Sequence, residues 1–498
     1  MPALIGIDLG TTFSAIATVD ETGRPIIVHN GEGSNVTPSC VQFCENDVVE
    51  VGEIPRKSLF LAGSHAVGRF KRDMGTSVQY EARGQQYSPT DLSTFVLKKL
   101  RQEASAALGE IAQAVVTIPA NFSNDAREAT MAAARAAGLD VKYIINEPTA
   151  AALYYAFKGG TDVGGVHAVY DLGGGTFDVS LVRVSGRDIE VLSTNGVARL
   201  GGDDFDGALQ ALVQSKFAEQ TGETLDERDF TKNDAESEKR SLSKRDKVTV
   251  RVSRTTIELT RSEFEESISS YLAQTEMMCE ATVRDAGLDL TDIQGVFLVG
   301  GSTRIPAVRE SVRRSFDRDP IATANVDEVV ALGAALYAAF KGDRSHLNEV
   351  QKAAIDSIKV SESTSQCYGT ISLSHDVERD QSRPVNSVLI KKGHKIPCFV
   401  TESFYTVHDD QTSVHCRVTE SAAAESDPRF VRTVWEGNLE LPPGRPAGQE
   451  ILVTFAYDEN QVMNCSFVDR ATGQEEKVDL ALNEGTQSSA LIDRFVVE

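Results

Sequence analysis

The sequence predicts an α/β fold of two similar lobes, followed by a smaller β-sandwich domain. Strand-like apolar runs alternate with helical stretches from residue 1 to residue 342, and this alternation is typical of α/β domains. From about residue 360, period-two segments rich in Val, Thr, Phe and Tyr replace the alternation, as in a β-sandwich. A glycine-rich loop motif occurs twice in the first part. We therefore expect a large domain over 1–342, a linker over 343–366, a sandwich over 367–482 and a tail over 483–498.

Length and composition narrow the classes of protein. A chain of 498 residues is too long for one core, and a 41% hydrophobic and 25% charged composition fits a soluble globular protein. The net charge of −23 argues against a nucleic-acid binder. We see no secretory signal and no run approaching the ~20 apolar residues of a membrane span, so we expect a cytoplasmic protein that does not bind membranes. Seven cysteines without a CxxC pair are expected to be reduced.

The individual elements follow from local patterns. Ser123 is a candidate N-cap and Gly138 a candidate C-cap of one helix. The predicted strands of the first domain are Leu4–Val19, Ala114–Pro119, His167–Val184 and Gly295–Gly301, and the predicted helices are Asn124–Ala137, Pro148–Phe157 and Arg261–Ala286. The predicted sandwich strands are Ser387–Lys391, Phe399–Val407, Ser413–Thr419, Glu450–Tyr457 and Val462–Val468.

The repeated loop has the chemistry of a phosphate site. In the first copy, IDLGTT, glycine allows a tight turn whose N–H groups can face a phosphate, and Thr11 and Thr12 add hydroxyl donors. Asp8 at the strand end can hold the hydration shell of Mg²⁺. The second copy, YDLGGGTFDVS, suggests two lobes facing one another across a cleft, each with one phosphate loop. For one copy alone, a plain hairpin turn explains the pattern equally well.

A third glycine pair lies in the sequence VGGSTRIP. The turn at Gly300 and Gly301 would let an adenosine lie flat against the backbone, with Arg304 near the purine. Taken alone, an ordinary strand-to-helix turn with Pro306 in the first helical turn explains this segment better.

Six motifs, IDLGTT, VTIPANF, INEPTAAAL, YDLGGGTFDVS, LGGDDFD and VGGSTRIP, occur in an order that resembles the DnaK-type heat-shock chaperone family. The resemblance covers the chain to about residue 480. It implies a two-lobed actin-like ATPase domain and a β-sandwich that binds extended hydrophobic peptides. It also implies ATP and ADP with Mg²⁺ as ligands, ATP hydrolysis to ADP and phosphate, and client peptides and a J-domain co-chaperone as partners.

The resemblance also assigns roles to single residues. The catalytic set comprises Lys71 beside the γ-phosphate, Glu147 near the attacking water, Asp204 and Thr176. The metal set comprises Asp8, Asp171 and Asp204, and the interdomain relay is formed by Pro119 and Arg127. The peptide cleft is lined by Phe404, Val407 and Val414. The nucleotide-binding set comprises Gly10, Thr11, Thr12, Gly173, Gly174, Gly175, Gly201, Gly202, Glu236, Lys239, Arg240, Ser243, Gly300, Gly301, Ser302, Arg304 and Asp327.

Taken without the resemblance, several of these residues have simpler explanations. Lys71 and Arg127 are more often solvated surface charges, and Glu147 before Pro148 is a favourable acid in a helical first turn. Phe404 is more often a core residue of a sandwich.

Departures from the family pattern limit what carries over. Val197 stands where the family has an aspartate near the metal. The sequence alone therefore does not assign the family's K⁺ dependence or its rate of ATP hydrolysis to this chain. Phe13 replaces a polar or tyrosine residue beside the first loop. The short segment Lys239–Glu263 leaves the exchange factor open, because the hairpin that a GrpE-type factor contacts looks trimmed.

Further departures concern the second half of the chain. No helical stretch of lid size follows the sandwich before residue 498, so we expect bound peptides to exchange quickly. Ile355, Ile358 and Val360 are expected to dock in place of a leucine-rich linker. The loop Leu373–Pro384 looks long and polar for the rim of a peptide cleft.

Two other functions were weighed. A regulatory scaffold would bind nucleotide and one dedicated client or J-domain partner with little general folding activity, and the expected lack of a lid and Val197 favour it. A sugar or acetate kinase on the same fold is argued against by the terminal β-domain and the EPTAAA run, although fold alone does not exclude it.

Overall fold

The computed structural model describes residues 2–61, 63–159, 163–186, 188–322, 325–356, 358–376, 381–458, 462–480 and 492–498. The chain divides into two compact units. The first comprises residues 1–360 together with 487–498, and the second comprises residues 361–486. Among the described residues, no helix is both long enough and apolar enough to cross a lipid bilayer.

The first unit contains two sheets of matching topology. The strands of the first lobe are β1 (Ala3–Asp8), β2 (Phe13–Val19), β3 (Pro25–Val28), β4 (Thr37–Pro38), β5 (Cys40–Phe43), β6 (Val48–Val51), β7 (Ala66–Gly68), β8 (Tyr80–Ala82), β9 (Gln85–Tyr87), β10 (Ile111–Ile118) and β11 (Val141–Asn146). The strands of the second lobe are β12 (Gly165–Leu172), β13 (Phe177–Ser185), β14 (Asp188–Val197), β15 (Lys247–Val252), β16 (Thr255–Thr260), β17 (Ile293–Val299), β18 (Pro320–Ile321) and β19 (Lys359–Ser361).

The strand orders of the main sheets are β11-β10-β1-β2-β3 in the first lobe and β18-β17-β12-β13-β14-β19 in the second. In each sheet an antiparallel hairpin, β1–β2 or β12–β13, continues into parallel neighbours, β10 and β11 or β17 and β18. The repeated loop motif therefore lies at the tip of an equivalent hairpin in each lobe, as the sequence repeat predicts.

Eleven α-helices are assigned within the described part of the chain. They are α1 (Glu53–Ser58), α2 (Pro89–Leu108), α3 (Asn124–Ala136), α4 (Glu147–Gly159), α5 (Gly202–Thr221), α6 (Lys232–Leu242), α7 (Arg261–Ser267), α8 (Ser269–Asp285), α9 (Pro306–Phe316), α10 (Val329–Lys341) and α11 (Glu349–Ile355). Helices α4 and α10 are alanine-rich and share one apolar cluster with strands of both sheets, which joins the lobes. A Cβ added at Gly333 would lie 1.7 Å from the carbonyl oxygen of Ala150, so these two helices pack with their backbones close together.

Local predictions hold with three differences. The predicted strands Leu4–Val19 and His167–Val184 are each a hairpin of two strands, because the glycine loop interrupts them, and one predicted helix is divided. Ser123 accepts a hydrogen bond from the N–H of Ala126 at 3.3 Å, and Gly138 has a left-handed φ of 76°, so both predicted caps of α3 are confirmed. The predicted helix Arg261–Ala286 is instead two helices, because Ile268 leaves helical geometry at φ −101° and ψ 2° while its side chain is buried in the second lobe. Strands β15 and β16 form a short hairpin with two connecting residues.

Residues 343–360 belong to the first unit, whereas a linker was expected from residue 343. The physical reason is apolar burial: Ile355 and Ile358 are buried in the cluster between the lobes, and Val360 packs against it. Their predicted docking is confirmed. Asn348 caps α11 by accepting a hydrogen bond from the N–H of Gln351 at 2.8 Å.

The second unit is a β-sandwich. Its strands are β20 (Cys367–Asp376), β21 (Gln381–Ile390), β22 (Cys398–Tyr405), β23 (Ser413–Ser421), β24 (Arg432–Glu440), β25 (Glu450–Tyr457), β26 (Met463–Asp469) and β27 (Glu475–Asp479). They form two antiparallel four-stranded sheets, ordered β21-β20-β23-β24 and β22-β25-β26-β27, which enclose one apolar core. Leu373 pairs with Pro384 in the β20–β21 hairpin, so the ends of the predicted long rim loop are strand, and residues 377–380 lie outside the described part.

One buried ion pair supports the sandwich. The side chain of Asp469 is fully buried and pairs with Arg445, and it accepts a further hydrogen bond from the Thr472 hydroxyl at 2.7 Å. Hydrogen bonding from Arg445 holds the pKa of Asp469 at about 2, below its ordinary value.

The final described segment returns to the first unit. Strand β28 (Val496–Val497) pairs in parallel with β6 at the edge of a peripheral sheet ordered β28-β6-β5-β7. A tail was expected here from the sequence. Ile492 and Val497 are instead buried in the apolar core of the first lobe.

Candidate nucleotide site

The two glycine loops face each other. A Cβ added at Gly174 would lie 1.9 Å from the Thr12 hydroxyl, and one added at Gly175 would lie 2.4 Å from Cγ2 of Thr11. Only glycine allows this approach, so the sequence requirement at these two positions comes from the neighbouring loop. The structure thus brings together the loops that the internal repeat predicted to meet.

The first loop is fixed from behind by two serines. Ser14 accepts a hydrogen bond from the N–H of Gly10 at 3.2 Å, and the Ser39 hydroxyl donates to the Gly10 carbonyl at 2.7 Å. The two hydroxyls lie 2.9 Å apart. These bonds hold the loop backbone without using Thr11 or Thr12, whose side chains line the cavity.

The second loop is pinned to the start of α5. The N–H groups of Gly202 and Asp203 donate to the carbonyls of Gly173 and Gly174 at 3.0 and 2.8 Å. Gly201 is the N-cap residue of the same helix.

A cavity of about 760 Å³ opens between these loops. It is lined by both loops, by α6 and by the turn after β17. Of the sequence-predicted residues, it contains Asp8, Gly10, Thr11, Thr12, Lys71, Glu147, Asp171, Gly173, Gly174, Gly175, Thr176, Gly202, Glu236, Lys239, Arg240, Ser243, Gly300, Gly301, Ser302, Arg304 and Asp327. Residues from positions 8 to 327 therefore converge on one concave site of the size that ligand pockets have.

A buried ion pair lies in this cavity. Lys71 donates to Glu147 with 2.6 Å between Nζ and Oε1, and both residues are buried. Lys71 belongs to a short 3-10 turn, Phe70–Asp73, and Glu147 is the first residue of α4. The N-terminal end of a helix favours a negative charge, so the position of Glu147 at the start of α4 stabilises this ion pair.

Three more carboxyl groups surround that pair, of which Asp171 and Asp178 are buried and Asp8 is partly buried. Burial, followed by repulsion from Glu147, raises the pKa of Asp8 to about 7, although Lys71 and a 3.0 Å hydrogen bond from Thr117 oppose the change. The pKa of Asp171 is raised by the same two causes, burial and Glu147. Burial followed by Glu147 also raises the pKa of Asp178 to about 8. One lysine does not balance four carboxyl groups, so the cluster favours an added cation.

Asp178 was missed by the sequence reasoning. It stands directly opposite Asp171 in the β12–β13 ladder, and its Oδ1 atom is buried without a hydrogen-bond partner. The signal was present in the sequence, because the repeat YDLGGGTFDVS contains this second aspartate.

Asp204 lies in a different setting from the other predicted metal residues. Its carboxylate accepts a hydrogen bond from the N–H of Gly201 at 2.8 Å, and it pairs with Arg72 at 2.7 Å. It is not among the described residues that line the cavity. Its geometry is that of a helix cap and an ion pair, which gives no support to a metal role.

The predicted adenosine pocket is assembled around α6. Lys239 donates to the Gly202 carbonyl and pairs with Asp206, both at 2.8 Å. The Ser302 hydroxyl donates to the Gly173 carbonyl at 2.8 Å, which connects the third glycine turn to the second loop. Arg304 pairs with Asp327 at 2.7 Å.

The third turn requires glycine for steric reasons. Gly300 has φ 83°, and a Cβ there would lie 2.4 Å from the carbonyl oxygen of Leu172. The strand-to-helix turn itself therefore requires glycine, and this turn forms part of the cavity wall.

A bridge of charged side chains spans the cavity between the lobes. Arg56 on α1 pairs with Glu236 on α6 at 2.6 Å, and Arg240 pairs with the other Glu236 oxygen at 2.7 Å. Burial disfavours the ionised glutamate, but Arg56 and Arg240 outweigh it and hold the pKa of Glu236 below its ordinary value. Both arginines also lie over the Phe13 ring, at 4.5 and 5.7 Å from its centroid. The sequence reasoning noted Phe13 but did not identify Arg56.

A family model described as Hsp70 protein matches residues 4–82 and 76–498. Together these ranges cover nearly the whole chain. The chain belongs to the Hsp70 family. Hsp70 proteins are ATPases with the two-lobed α/β fold described above, so this fold and, in general terms, a chaperone-type ATP-binding function apply to the chain.

The residues expected to form the Hsp70 relay lie close together. Arg127 is 2% exposed, and its guanidinium donates to the carbonyls of Phe122 and Ala120 at 3.3 and 3.4 Å. These carbonyls belong to the loop that follows Pro119 at the end of β10.

The three residues expected to line the Hsp70 peptide cleft do not share one environment. Phe404 on β22 and Val414 on β23 are half-buried and pack against the sandwich core, and they belong to different sheets. Val407 follows β22 and is 48% exposed. Of these three residues, Val407 is therefore the most accessible to a peptide.

Proposed function

We propose that this Hsp70 protein hydrolyses ATP in the cavity between its lobes and couples that reaction to the binding and release of extended hydrophobic peptides. The observation that carries the proposal is the meeting of two glycine loops beside the buried Lys71–Glu147 pair. Phosphoryl transfer depends on positioning and on charge neutralisation more than on covalent catalysis. This cavity offers backbone N–H groups, hydroxyls and a fixed cation for those two tasks.

Lys71 and Glu147 have complementary roles in this proposal. Lys71 provides a positive charge for the terminal phosphate, and its buried surroundings strengthen that interaction. Glu147 holds the lysine in place and accepts a hydrogen bond from the attacking water. Thr176, Thr11 and Thr12 contribute hydroxyl donors to the phosphate oxygens.

The carboxyl cluster fits Mg²⁺ bound together with the triphosphate. No group of three or more His, Cys, Asp or Glu residues within the described ranges is arranged to ligate a metal directly. Mg²⁺ keeps several waters when it bridges phosphates, so Asp8, Asp171 and Asp178 would hold it through those waters. The ion would supply neutralisation of phosphate charge. Val197, which packs against the apolar core of the second lobe, offers no further carboxylate for K⁺.

The peptide half of the proposal is supported by the sandwich and by Val407. Edge strands and loops of such a sandwich can hold an extended peptide through backbone hydrogen bonds, with apolar side chains adding selectivity. Pro119 and Arg127 are proposed to relay the nucleotide state. A J-domain co-chaperone is the proposed partner, and the cytoplasm is the proposed location.

The test is Lys71→Ala in the full chain. We expect steady-state ATP hydrolysis to fall by at least about 100-fold, the size of effect seen when one preorganised charge-stabilising group is removed, while ATP binding remains. Lys57→Ala is the matched control, because Lys57 lies on α1 with its side chain 74% exposed. Full activity of Lys71→Ala would refute the site assignment.

A second candidate function is the regulatory scaffold for one dedicated client. The half-buried positions of Phe404 and Val414 favour it, since they leave less open apolar surface for varied peptides. A panel of short aliphatic peptides separates the two functions. Binding of many peptides supports the chaperone, whereas binding of few or none supports the scaffold.

A further inference from the structure

The segment 492–498 is a strand of the first lobe, although the whole second unit separates it in sequence from the rest of that lobe. Three backbone hydrogen bonds hold it beside β6. The N–H of Val496 donates to the Asp47 carbonyl at 2.9 Å, that of Glu498 to Val49 at 2.8 Å, and that of Val51 to Glu498 at 2.9 Å. Because the donors come from both sides, this is pairing of two strands.

The side chains of the segment fill a groove in the lobe. Ile492 and Val497 are 1% and 7% exposed and belong to its apolar core. Val496, between them, points outward and is 59% exposed. This alternation at 496 and 497 matches the two-residue period of a strand with one buried face.

An aromatic box receives Phe495. Its ring meets those of Phe43, Phe95 and Tyr87 edge-on, with centroid distances of 5.7, 5.5 and 6.3 Å. Such edge-to-face contacts stabilise aromatic pairs beyond simple burial. The three partners come from β5, α2 and β9, so the box is built by the lobe and the segment supplies the fourth ring.

Charged side chains at the rim fix the register. The Arg494 guanidinium lies 4.6 Å from the centroid of Phe495 and donates to Gln85 Oε1 at 2.5 Å. Asp493 pairs with Lys98 on α2 at 3.2 Å. A shift by one residue would break these contacts and turn Val497 towards water.

The groove is connected to the turn that carries Lys71. The peripheral sheet runs β28-β6-β5-β7, and β7 ends two residues before Phe70. Phe70 is 1% exposed and lies in the same apolar core as Ile492 and Val497. Docking of the segment therefore enlarges the apolar core that also contains Phe70, the residue before Lys71.

We propose that this groove is an intramolecular docking site for residues 492–498, which fastens the second unit's chain to the first lobe at a second point and supports the Lys71 turn. Residues 361–486 leave the first unit after Val360 and are followed by a segment that docks back onto it. A large displacement of the second unit must then either stay within the reach of both attachments or pull the strand out of its groove. The docking does not depend on the proposed function, whereas its effect on Lys71 does.

Hydrogen exchange on the full chain tests the docking. In the wild type, the amides of Val51, Val496 and Glu498 are expected to be protected. In Val497→Asp, protection of all three is expected to fall by at least about tenfold, because their hydrogen bonds form one ladder. Val496→Ala is the matched control and should leave protection unchanged. Unstructured exchange rates for Val496 and Glu498 in the wild type, or an unaltered Val51 in Val497→Asp, would overturn the proposal.

A milder variant guards against misfolding. Phe495→Leu removes the aromatic contacts but keeps an apolar side chain, and it should lower protection of the same amides by a smaller factor. A synthetic peptide of residues 490–498, added to Val497→Asp, should restore protection of Val51. Failure of that peptide to restore protection in a variant that keeps wild-type circular dichroism would count against a groove for this segment.

The effect on Lys71 is measured separately. ATP hydrolysis by Val497→Asp should fall by at least about threefold and recover when the peptide is added, as expected for a residue that acts by positioning. Unchanged hydrolysis together with lost protection would remove the link to Lys71 but keep the docking site. Light scattering identifies the source of the strand: a monomer supports docking within one chain, and a stable dimer with protected amides would overturn it in favour of strand exchange between copies.

Discussion

Removing the arginine that bridges the two lobes should release nucleotide faster. Arg56 reaches from α1 to Glu236 on α6 at 2.6 Å and lies 4.5 Å from the Phe13 ring centroid. Its side chain is only 18% exposed, so solvent screens this contact incompletely. In Arg56→Ala, Arg240 remains on Glu236 of its own helix, and only its longer contact of 5.7 Å with the Phe13 ring centroid is left of this bridge to join the lobes.

The size of the effect follows from two contributions. A partly shielded ion pair contributes about 1 kcal/mol, and a cation–π contact at a half-exposed site contributes about 0.5–1 kcal/mol. If both are lost when the cavity opens, the barrier to release falls by about 1.5–2 kcal/mol, and dissociation accelerates by roughly 10- to 30-fold.

Stopped-flow release of a fluorescent ADP analogue measures this rate directly. Lys57→Ala is the control, since Lys57 neighbours Arg56 on α1 and its side chain is 74% exposed. An Arg56→Ala rate within twofold of the wild type would refute the bridge as a barrier. Equal acceleration in both variants would assign the effect to α1 in general.

Three further predictions concern stability and peptide binding. Ile358→Ala should lower the free energy of unfolding of the first unit by about 2–4 kcal/mol, because Ile358 is 1% exposed. The control Lys359→Ala should change it by less than about 0.5 kcal/mol. Thermal unfolding compares the two variants, and equal values would show that this segment is a linker that does not pack on the first unit. Asp469→Asn should destabilise the second unit by about 2 kcal/mol at pH 7 and by progressively less from about pH 4 towards pH 2. A carboxylate whose pKa is lowered in the folded state stabilises the fold above its unfolded pKa, and this stabilisation is lost as the pH falls through about 2. A difference in urea unfolding that does not depend on pH would contradict this. Val407→Glu should weaken binding of an aliphatic peptide about tenfold in fluorescence anisotropy. Phe430→Ser, at a site that is 70% exposed against 48% for Val407, should leave binding unchanged. Equal losses in the two variants would remove Val407 from the peptide site.

The parts of the fold that the sequence predicted depend on local chemistry or on repetition. Helix α3 could be bounded because Ser123 and Gly138 act within a few residues of the ends they cap. The facing loops could be predicted because the same strand–loop–strand pattern occurs twice, and equivalent hairpins with glycine tips leave room for close approach.

The missed parts depend on contacts between distant residues. Arg56 and Glu236 are 180 positions apart, and nothing in the pattern around either one indicates the other. The segment Arg261–Ala286 has helical periodicity throughout, and the departure of Ile268 from helical geometry leaves no mark in that pattern. Strand β28 is only two residues long, so period-two analysis could not identify it.

Asp178 and Asp204 show the limit of what a sequence motif predicts about the surroundings of a carboxylate. Both are aspartates close to a glycine turn, and the sequence alone favoured Asp204. The structure buries Asp178 among like charges, whereas Asp204 has an arginine partner and a capping role. The surroundings of the two carboxylates differ because of tertiary structure, and the motif alone does not predict that difference.

Titration calorimetry of ATP into the full chain, with and without Mg²⁺, tests the central claim most directly. If the two loops and the carboxyl cluster hold a magnesium-bound triphosphate, ATP binds at one site and its affinity falls by at least about tenfold when the metal is chelated. Absence of ATP binding in the presence of Mg²⁺ would contradict the account.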